Sequence, residues 1–184
     1  MGQSSNKLNK KDIEALAGET KLDGEKVQEM YKDFLKQCPN GKITKKQFIG
    51  MYQQRFPGGN GTDVAERLFR GFDKNNDGII DFREFIITEY VKSQGSPEKK
   101  LELAFGLYDI DENGYISLTE MMEIFKAIHN TLPEEQRKGG MADVRNRTKQ
   151  KFEKLDDNGD GQISKAEFVE GAKDDPELLE ILRK

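Results

Sequence analysis

A twelve-residue segment recurs three times along the 184-residue chain and constrains the fold more than any other feature of the sequence. The copies are DKNNDGIIDFRE from Asp73, DIDENGYISLTE from Asp109 and DDNGDGQISKAE from Asp156. In each copy, oxygen-bearing side chains stand at places one, three, five and nine, glycine at six, isoleucine at eight and glutamate at twelve. Three complete matches argue against a chance collection of polar turns, so we expect one local structure in all three.

The residue types in this segment suit a hard cation. Calcium takes six to eight oxygen ligands at about 2.3–2.6 Å, and a short loop surrounds it only by turning sharply at a glycine that tolerates positive φ. The pattern is typical of the EF-hand and predicts three Ca²⁺ sites, each using side chains at places one, three, five, nine and twelve and the carbonyl at place seven. The candidate ligands are Asp73, Asn75, Asp77, Ile79, Asp81 and Glu84; Asp109, Asp111, Asn113, Tyr115, Ser117 and Glu120; and Asp156, Asn158, Asp160, Gln162, Ser164 and Glu167.

A fourth segment, from Lys36 to Gln47, keeps the outline of the loop without its ligands. It has lysine and cysteine at places one and three, proline at place four and glutamine at place twelve, but it retains glycine at six and isoleucine at eight. The four loops therefore start at 36, 73, 109 and 156, and we number them first to fourth. Because EF-hands work in pairs, we interpret the first loop as a silent partner whose Ile43 pairs with Ile80 of the second.

Apolar residues at helical spacing flank every loop, which predicts an all-α fold with two lobes of paired EF-hands and short antiparallel ribbons between the loops. Short extra helices are predicted from Asp12 to Glu19 and from Glu177 to Leu182. The predicted limits are an N-terminal basic segment and helix at 1–22, a first lobe at 23–92, a linker at 93–97, a second lobe at 98–174 and a C-terminal helix at 175–184.

Composition predicts a cytoplasmic location. No apolar run approaches the twenty or so residues that span a bilayer, and no hydrophobic leader follows the start. The single cysteine, Cys38, predicts no internal disulfide and fits a reducing compartment. Three calcium ions would change the formal net charge from −4 to +2, which predicts weak attraction to anionic surfaces in the loaded form.

Other functional classes find little support in the sequence. It contains no glycine-rich phosphate loop and no nucleophile-elbow motif, and its only histidine, His129, is expected on the surface, so we predict a non-enzyme. The basic run from Arg145 to Lys151 places charge all round its helix without interleaved aromatic residues, so we expect no nucleic-acid partner.

The silent CPNG loop, the three intact hands, the Met1-Gly2 start and the stretches MYKDFLKQCPNG, KLELAFGLYD and PEEQRKG resemble the neuronal calcium sensor family, which includes frequenin, recoverin, hippocalcin and visinin-like proteins. The resemblance covers almost the whole chain. It implies an adaptor whose calcium-loaded form exposes an apolar groove for the amphipathic helix of a target in the kinase, cyclase or channel class. The groove residues implied by the resemblance are Tyr52, Phe56 and Phe85.

The same resemblance implies N-myristoylation at Gly2. The acylation pattern asks for Ser or Thr at the sixth place, where this chain has Asn6. One myristoyl chain holds a membrane only marginally, so a second signal is needed. Lys7, Lys10 and Lys11 would supply it by attraction to an anionic membrane surface. We therefore expect membrane association, either calcium-dependent or constitutive.

Two alternatives to a sensor remain open, namely a cytosolic calcium buffer without target regulation and a scaffold that binds its targets equally with and without calcium. The second loop carries four acidic ligands and the other two carry three each, which makes Mg²⁺ a further candidate at the second site. These counts do not separate a sensor from a buffer. The silent first loop favours the sensor, because a storage protein gains nothing from an aromatic-rich lobe that is half empty.

Overall fold

The computed structural model describes residues 8–55, 62–132, 134–137 and 139–183. Within these ranges the chain forms nine α-helices and four three-residue strands, in agreement with the predicted all-α fold. No helix of the described part is long and apolar enough to cross a bilayer. Gly2, Lys7 and Phe56, which the sequence singles out, lie outside the described residues.

Each loop stands between an entering and an exiting helix, and one short strand follows its glycine. The helices are α1 Lys10–Thr20, α2 Gly24–Gln37, α3 Lys45–Arg55, α4 Thr62–Phe72, α5 Phe82–Gln94, α6 Pro97–Tyr108, α7 Leu118–Thr131, α8 Met141–Leu155 and α9 Lys165–Gly171. The strands are β1 Lys42–Thr44, β2 Ile79–Asp81, β3 Tyr115–Ser117 and β4 Gln162–Ser164, and 3₁₀ helices cover Glu134–Gln136 and Glu180–Arg183.

Polar N-caps determine where the helices outside the loops begin. The side chains of Asn9, Asp23 and Ser96 accept hydrogen bonds from backbone N–H groups three residues later, at 2.9, 2.6 and 3.3 Å. Pro97 then fills the first position of α6, where its missing N–H costs nothing. Only Gly95 and Ser96 separate α5 from α6, so the helices take up most of the predicted linker at 93–97.

The strands pair as two antiparallel ribbons that join the loops two by two. Ile43 of β1 faces Ile80 of β2, and Ile116 of β3 faces Ile163 of β4. All four isoleucines are buried. The pairing of the silent loop with the second loop is therefore as predicted, and it places the two loops of each pair side by side.

The hydrophobic core consists of two clusters that do not coincide with the two predicted lobes. The first cluster contains residues of α1, α2, α4 and α5, among them Phe69 and Phe72. The second contains the apolar residues of the second lobe together with Tyr52, Val64 and Leu68 of the first. Helix α4 therefore contributes side chains to both clusters, and the packing is continuous across the junction between the lobes.

Two expectations for the second lobe are wrong. His129 is only 8% exposed and not on the surface as expected, because the last turn of α7, in which it lies, belongs to a helix that packs against α8. The segment from Glu177 to Leu182 forms turns and a 3₁₀ helix instead of an α-helix. Its hydrogen bonds span three residues, as from the Leu182 N–H to the Leu179 carbonyl at 3.0 Å, and three of its apolar residues, Leu178, Ile181 and Leu182, are buried.

Candidate metal centre

In the third loop, backbone N–H groups point towards the side chain of the first-place aspartate. Helix α6 ends at Tyr108, and the Asp109 N–H still donates to the Phe105 carbonyl at 2.9 Å. The Asp109 carboxylate accepts hydrogen bonds from the N–H groups of Asn113 and Gly114 at 3.1 and 3.0 Å. The loop backbone therefore wraps around this side chain.

The twelfth-place glutamate closes the same loop from its other end. One carboxylate oxygen of Glu120 accepts from the Ile110 N–H at 2.8 Å, and the other accepts from the Ser117 N–H at 2.7 Å. The Ser117 hydroxyl in turn accepts from the Glu120 N–H, which completes a capping box at the start of α7. Glu120 thus joins the beginning of the loop to the exiting helix.

Carboxylate oxygens of Asp109, Asp111 and Glu120 lie within 4.8 Å of one another. Burial raises the pKa of Asp109. Burial also acts to raise the pKa of Glu120, but the hydrogen bonds donated by Ser117, Ile110 and Asp111 together outweigh it and hold that pKa below its ordinary value. Carboxylate oxygens this close together suit a divalent cation such as calcium, which would relieve their mutual repulsion.

The second loop has the same internal hydrogen bonds. The Asp73 carboxylate accepts from the N–H groups of Asp77 and Gly78 at 3.1 and 2.9 Å. Glu84 accepts from the N–H groups of Lys74 and Asp81 at 3.0 and 3.1 Å. Asp73 and Glu84 are buried, like their counterparts in the third loop.

The fourth loop repeats the arrangement closer to solvent. Asp156 accepts from the N–H groups of Asp160 and Gly161 at 3.1 and 2.9 Å, and Glu167 accepts from the Ser164 N–H at 2.8 Å. Hydrogen bonds from Ser164, whose side chain contributes most, lower the pKa of Glu167. All three loops thus bring their first-place and twelfth-place carboxylates to the loop backbone in the same way.

The remaining predicted ligands occupy equivalent positions. Residues at places three and five are exposed and hydrogen-bonded to each other, as from the Asn113 amide to Asp111 at 3.0 Å. Seventh-place Ile79, Tyr115 and Gln162 begin strands β2, β3 and β4. Ninth-place residues are the N-caps of the exiting helices, and the capping boxes pair Asp81 with Glu84, Ser117 with Glu120 and Ser164 with Glu167. The signal for this second role was present in the sequence as a capping pattern.

Backbone conformation separates the three acidic loops from the silent one. Glycine at place six has positive φ in all four loops, as in Gly41 at 69°. At place four, Asn76, Glu112 and Gly159 also have positive φ, at 56°, 59° and 71°. The silent loop has Pro39 there, and its ring holds φ near −65°. The sequence shows the proline as a departure of the silent loop, but it does not show that the other three loops have positive φ at this place.

Helix α2 also continues two residues further into the silent loop than the other entering helices do. It ends at Gln37, and the Cys38 N–H donates to the Phe34 carbonyl at 2.8 Å. The Cys38 side chain is 3% exposed, and burial raises the pKa of its thiol, as expected for a structural residue. Gln47 accepts from the Thr44 N–H at 3.0 Å, so the cap at the start of α3 is retained while the carboxylate is lost.

Tyr52 and Phe85, two of the three groove residues implied by the resemblance, line one cleft of about 220 Å³. The cleft lies between α3, α4 and α5. Phe85 stacks near Phe34 and Phe72, with ring centroids 5.2 and 6.2 Å apart. Tyr52 is buried and Phe85 is half-buried, so neither ring is fully exposed in the cleft.

Two family models match parts of the chain. A model of the EF-hand domain pair matches residues 98–173, and a second EF-hand domain pair model matches residues 61–87. The first range contains the third and fourth loops, and the second range contains the second loop. The silent loop lies outside both.

Three relatives match over nearly their whole length. Recoverin of Homo sapiens is 37% identical over 188 positions, which cover 100% of this chain and 94% of the relative. S-modulin of Aquarana catesbeiana is 36% identical over 182 positions, with 97% and 90% covered. Neuronal calcium sensor 1 of Lymnaea stagnalis is 37% identical over 188 positions, with 99% and 96% covered.

Proposed function

This chain belongs to the neuronal calcium sensor family of EF-hand proteins, and from that premise we propose that it is a calcium sensor that regulates target proteins. In this proposal the second, third and fourth loops each hold one calcium ion through the ligands named above. The silent first loop supports the second through their shared ribbon. The second site is also a candidate for magnesium because of its four acidic ligands.

The adjacency of Glu84 and Phe85 at the start of α5 carries the proposal. Glu84 closes the second loop and is the third residue of α5, and the next residue lines the cleft. A bound cation supplies positive charge that draws carboxylates together. When Glu84 moves towards such a charge, α5 must move with it, because the residue is held in the capping box with Asp81. Phe85 then shifts against its aromatic neighbours, which opens the cleft.

The target is proposed to be an amphipathic helix, of the kinase, cyclase or channel class implied by the family. The cleft has an apolar part, contributed by Phe48, Leu68 and Phe72 in addition to Tyr52 and Phe85, and a charged part formed by Arg55, Glu89, Lys92 and Arg183. A helix binds such a groove through apolar residues on one face. Opening of the cleft would give that face a place to dock.

Membrane association is the second part of the proposal. Lys10 and Lys11 are exposed at the start of α1 and follow Gly2 closely in the sequence. An acyl chain at Gly2 together with these lysines would provide the two signals that stable anchoring requires. Mass spectrometry of the protein made with an N-myristoyltransferase tests the acylation, and a mass without the added acyl group would contradict it.

The decisive experiment is a calcium titration of purified protein in the presence of a hydrophobic dye, with millimolar magnesium throughout. We expect dye fluorescence to rise in the micromolar calcium range, and Glu84→Gln to abolish most of the rise. Glu120→Gln should reduce it as well. Gln47→Ala is the matched control, because it changes the twelfth place of the silent loop and removes no predicted ligand.

A flat dye signal with sites that fill in calorimetry would contradict the sensor and favour the calcium buffer. Equal capture of targets from cell extract in chelator and in calcium would favour the scaffold instead. No catalytic step enters this proposal.

A further inference from the structure

The second and third hands contact each other directly through α4. Arg67 of α4 forms an ion pair with Glu123 of α7 at 2.7 Å, and its side chain is only 13% exposed. Gly71 lies so close to α6 that a Cβ atom added there would collide with Leu107. The helix that enters the second loop therefore packs against both helices of the third hand.

One further contact reaches the third loop itself. The Arg70 guanidinium donates a hydrogen bond to the backbone carbonyl of Ile110, at place two of that loop. The N–H of the same peptide unit belongs to Asp111 and donates to a carboxylate oxygen of Glu120 at 3.3 Å. The Ile110 N–H donates to that oxygen as well, at 2.8 Å.

This peptide unit is therefore held at both ends by groups from different lobes. A peptide bond is planar, so fixing the direction of its carbonyl also fixes the direction of its N–H. Arg70 thus orients the donor that holds Glu120, the residue that closes the loop. It also fixes the backbone directly before the third-place candidate ligand, Asp111.

We propose that Arg70 of the first lobe is a positioning residue for the third calcium loop. The inference rests on the proposed function, since it requires that the loop binds calcium. Arg70 donates to a main-chain carbonyl outside the predicted ligand set, so it orders the loop without competing for a carboxylate. A loop that is ordered before the ion arrives loses less conformational freedom on binding. The affinity of the third site consequently includes a contribution from the other lobe.

The test compares Arg70→Met, which removes the donors and keeps an unbranched apolar side chain, with Arg70→Lys, which restores a charged donor. Arg67→Met is the matched control, because it removes a contact between the lobes that does not touch the loop. Calcium is titrated into each isotopically labelled protein by NMR. The amide signals of Gly114 and Gly161, whose N–H groups donate to the first-place aspartates, report the third and fourth sites separately.

We expect Arg70→Met to weaken calcium binding at the third site about tenfold and to leave the fourth site within about twofold. A tenfold change corresponds to about 1.4 kcal/mol, near the lower end for a hydrogen bond to a charged group. Arg70→Lys should recover part of the loss. An unchanged third site in Arg70→Met, or an equal loss in Arg67→Met, would overturn the proposal, the latter by pointing to lobe packing in general.

A second readout does not depend on calcium. In the metal-free protein, amide hydrogen exchange at Asp111 should accelerate in Arg70→Met, whereas exchange at the equivalent Asn158 of the fourth loop should not change. Unchanged exchange at Asp111 would overturn the positioning role even if the wild-type chain binds calcium normally. A wild-type chain that takes up no calcium would overturn the proposed function together with this inference.

Discussion

Pro39 occupies the fourth place of the silent loop, where the three acidic loops require positive φ. Missing carboxylates are therefore only one of two reasons why this loop is not expected to bind calcium. The entering helix runs on to Gln37, and Cys38 at the third place points its side chain into the core instead of towards a ligand position. Ligand chemistry and backbone geometry have been lost together.

A variant of the first loop with its ligands restored tests the two causes, ligand chemistry and backbone geometry, separately. We expect a variant with Lys36→Asp, Cys38→Asn, Asn40→Asp and Gln47→Glu to bind no additional calcium ion while Pro39 is present. Adding Pro39→Gly should allow the fourth place to adopt positive φ and increase the calorimetric stoichiometry by one. An additional ion bound in the presence of Pro39 would show that ligand chemistry alone silences the loop.

His129 should make stability depend on pH. Burial, with further contributions from Arg137 and Arg147, lowers its pKa below the ordinary 6.5. The folded state thus favours the neutral imidazole, so its stabilising effect is complete above about pH 6.5 and decreases as the pH falls towards the lowered folded-state value. We expect the wild type to lose more unfolding free energy between pH 7.5 and 5.5 than His129→Gln does.

Urea denaturation of both metal-free proteins at each pH measures this difference. The carboxylates near the histidine, among them Asp175, Glu177 and Glu180, are present in both proteins, so their titration largely cancels in the comparison. Parallel pH curves would contradict the prediction and would mean that the imidazole has the same affinity for protons in both states.

At the level of elements, the structural role of the silent loop is to supply strand β1, which pairs with β2 of the second loop. Ile43 is buried and pairs with Ile80 in the middle of the second loop. Ile43→Ala should lower the free energy of unfolding by about 2–5 kcal/mol, the range for a buried isoleucine. It should also weaken calcium binding at the second site, although the first loop contributes no ligand.

Site-resolved titration of the Gly78 amide measures the second site in that variant. Ile116→Ala, in the ribbon of the second lobe, is the matched control and should affect the third and fourth sites instead. If Ile43→Ala changes stability but leaves the second-site affinity as in the wild type, the ribbon supports the fold without supporting the loop.

The elements themselves could be predicted because loop and helix use local rules. Three twelve-residue patterns located the loops, the isoleucine at place eight located each ribbon, and helical spacing located the flanking helices. Local rules fail where tertiary contacts decide the outcome. The burial of His129 and the 3₁₀ helix at Glu180–Arg183 depend on partners that lie far away in the sequence.

At the scale of the whole molecule, the packing of α4 in both hydrophobic clusters is the feature that the sequence shows least. Apolar residues at helical spacing before the second loop predict a buried face for this helix, and α4 buries residues in two clusters, with Phe69 and Phe72 in the first and Val64 and Leu68 in the second. Periodicity indicates which side chains turn away from water but cannot identify the surface that covers them. The contact of Arg70 with the third loop was hidden for the same reason.

Leu68 tests the continuity of the core. It belongs to the first lobe, is 3% exposed and packs in the cluster of the second lobe. Leu68→Ala should destabilise the metal-free protein by about 2–5 kcal/mol and accelerate amide exchange in the second lobe as well as the first. Met51→Ala, at a residue that is 37% exposed, should change stability by less than about 0.5 kcal/mol. Faster exchange confined to the first lobe would contradict a shared core.

A chain made of four similar units suggests an ancestry of duplication, in which whole units can be exchanged between related proteins. The placement of α4 restricts such exchange here. Recombination at Gly95 and Ser96, which connect the two halves, would combine this first half with the second half of a related protein. Helix α4 of the first half contacts Leu107, Ile110 and Glu123 of its own second half, and the related protein would have to supply the same contacts. We therefore expect the two halves to be inherited together. A substitution on one side of the junction should be accompanied by a compensating substitution on the other.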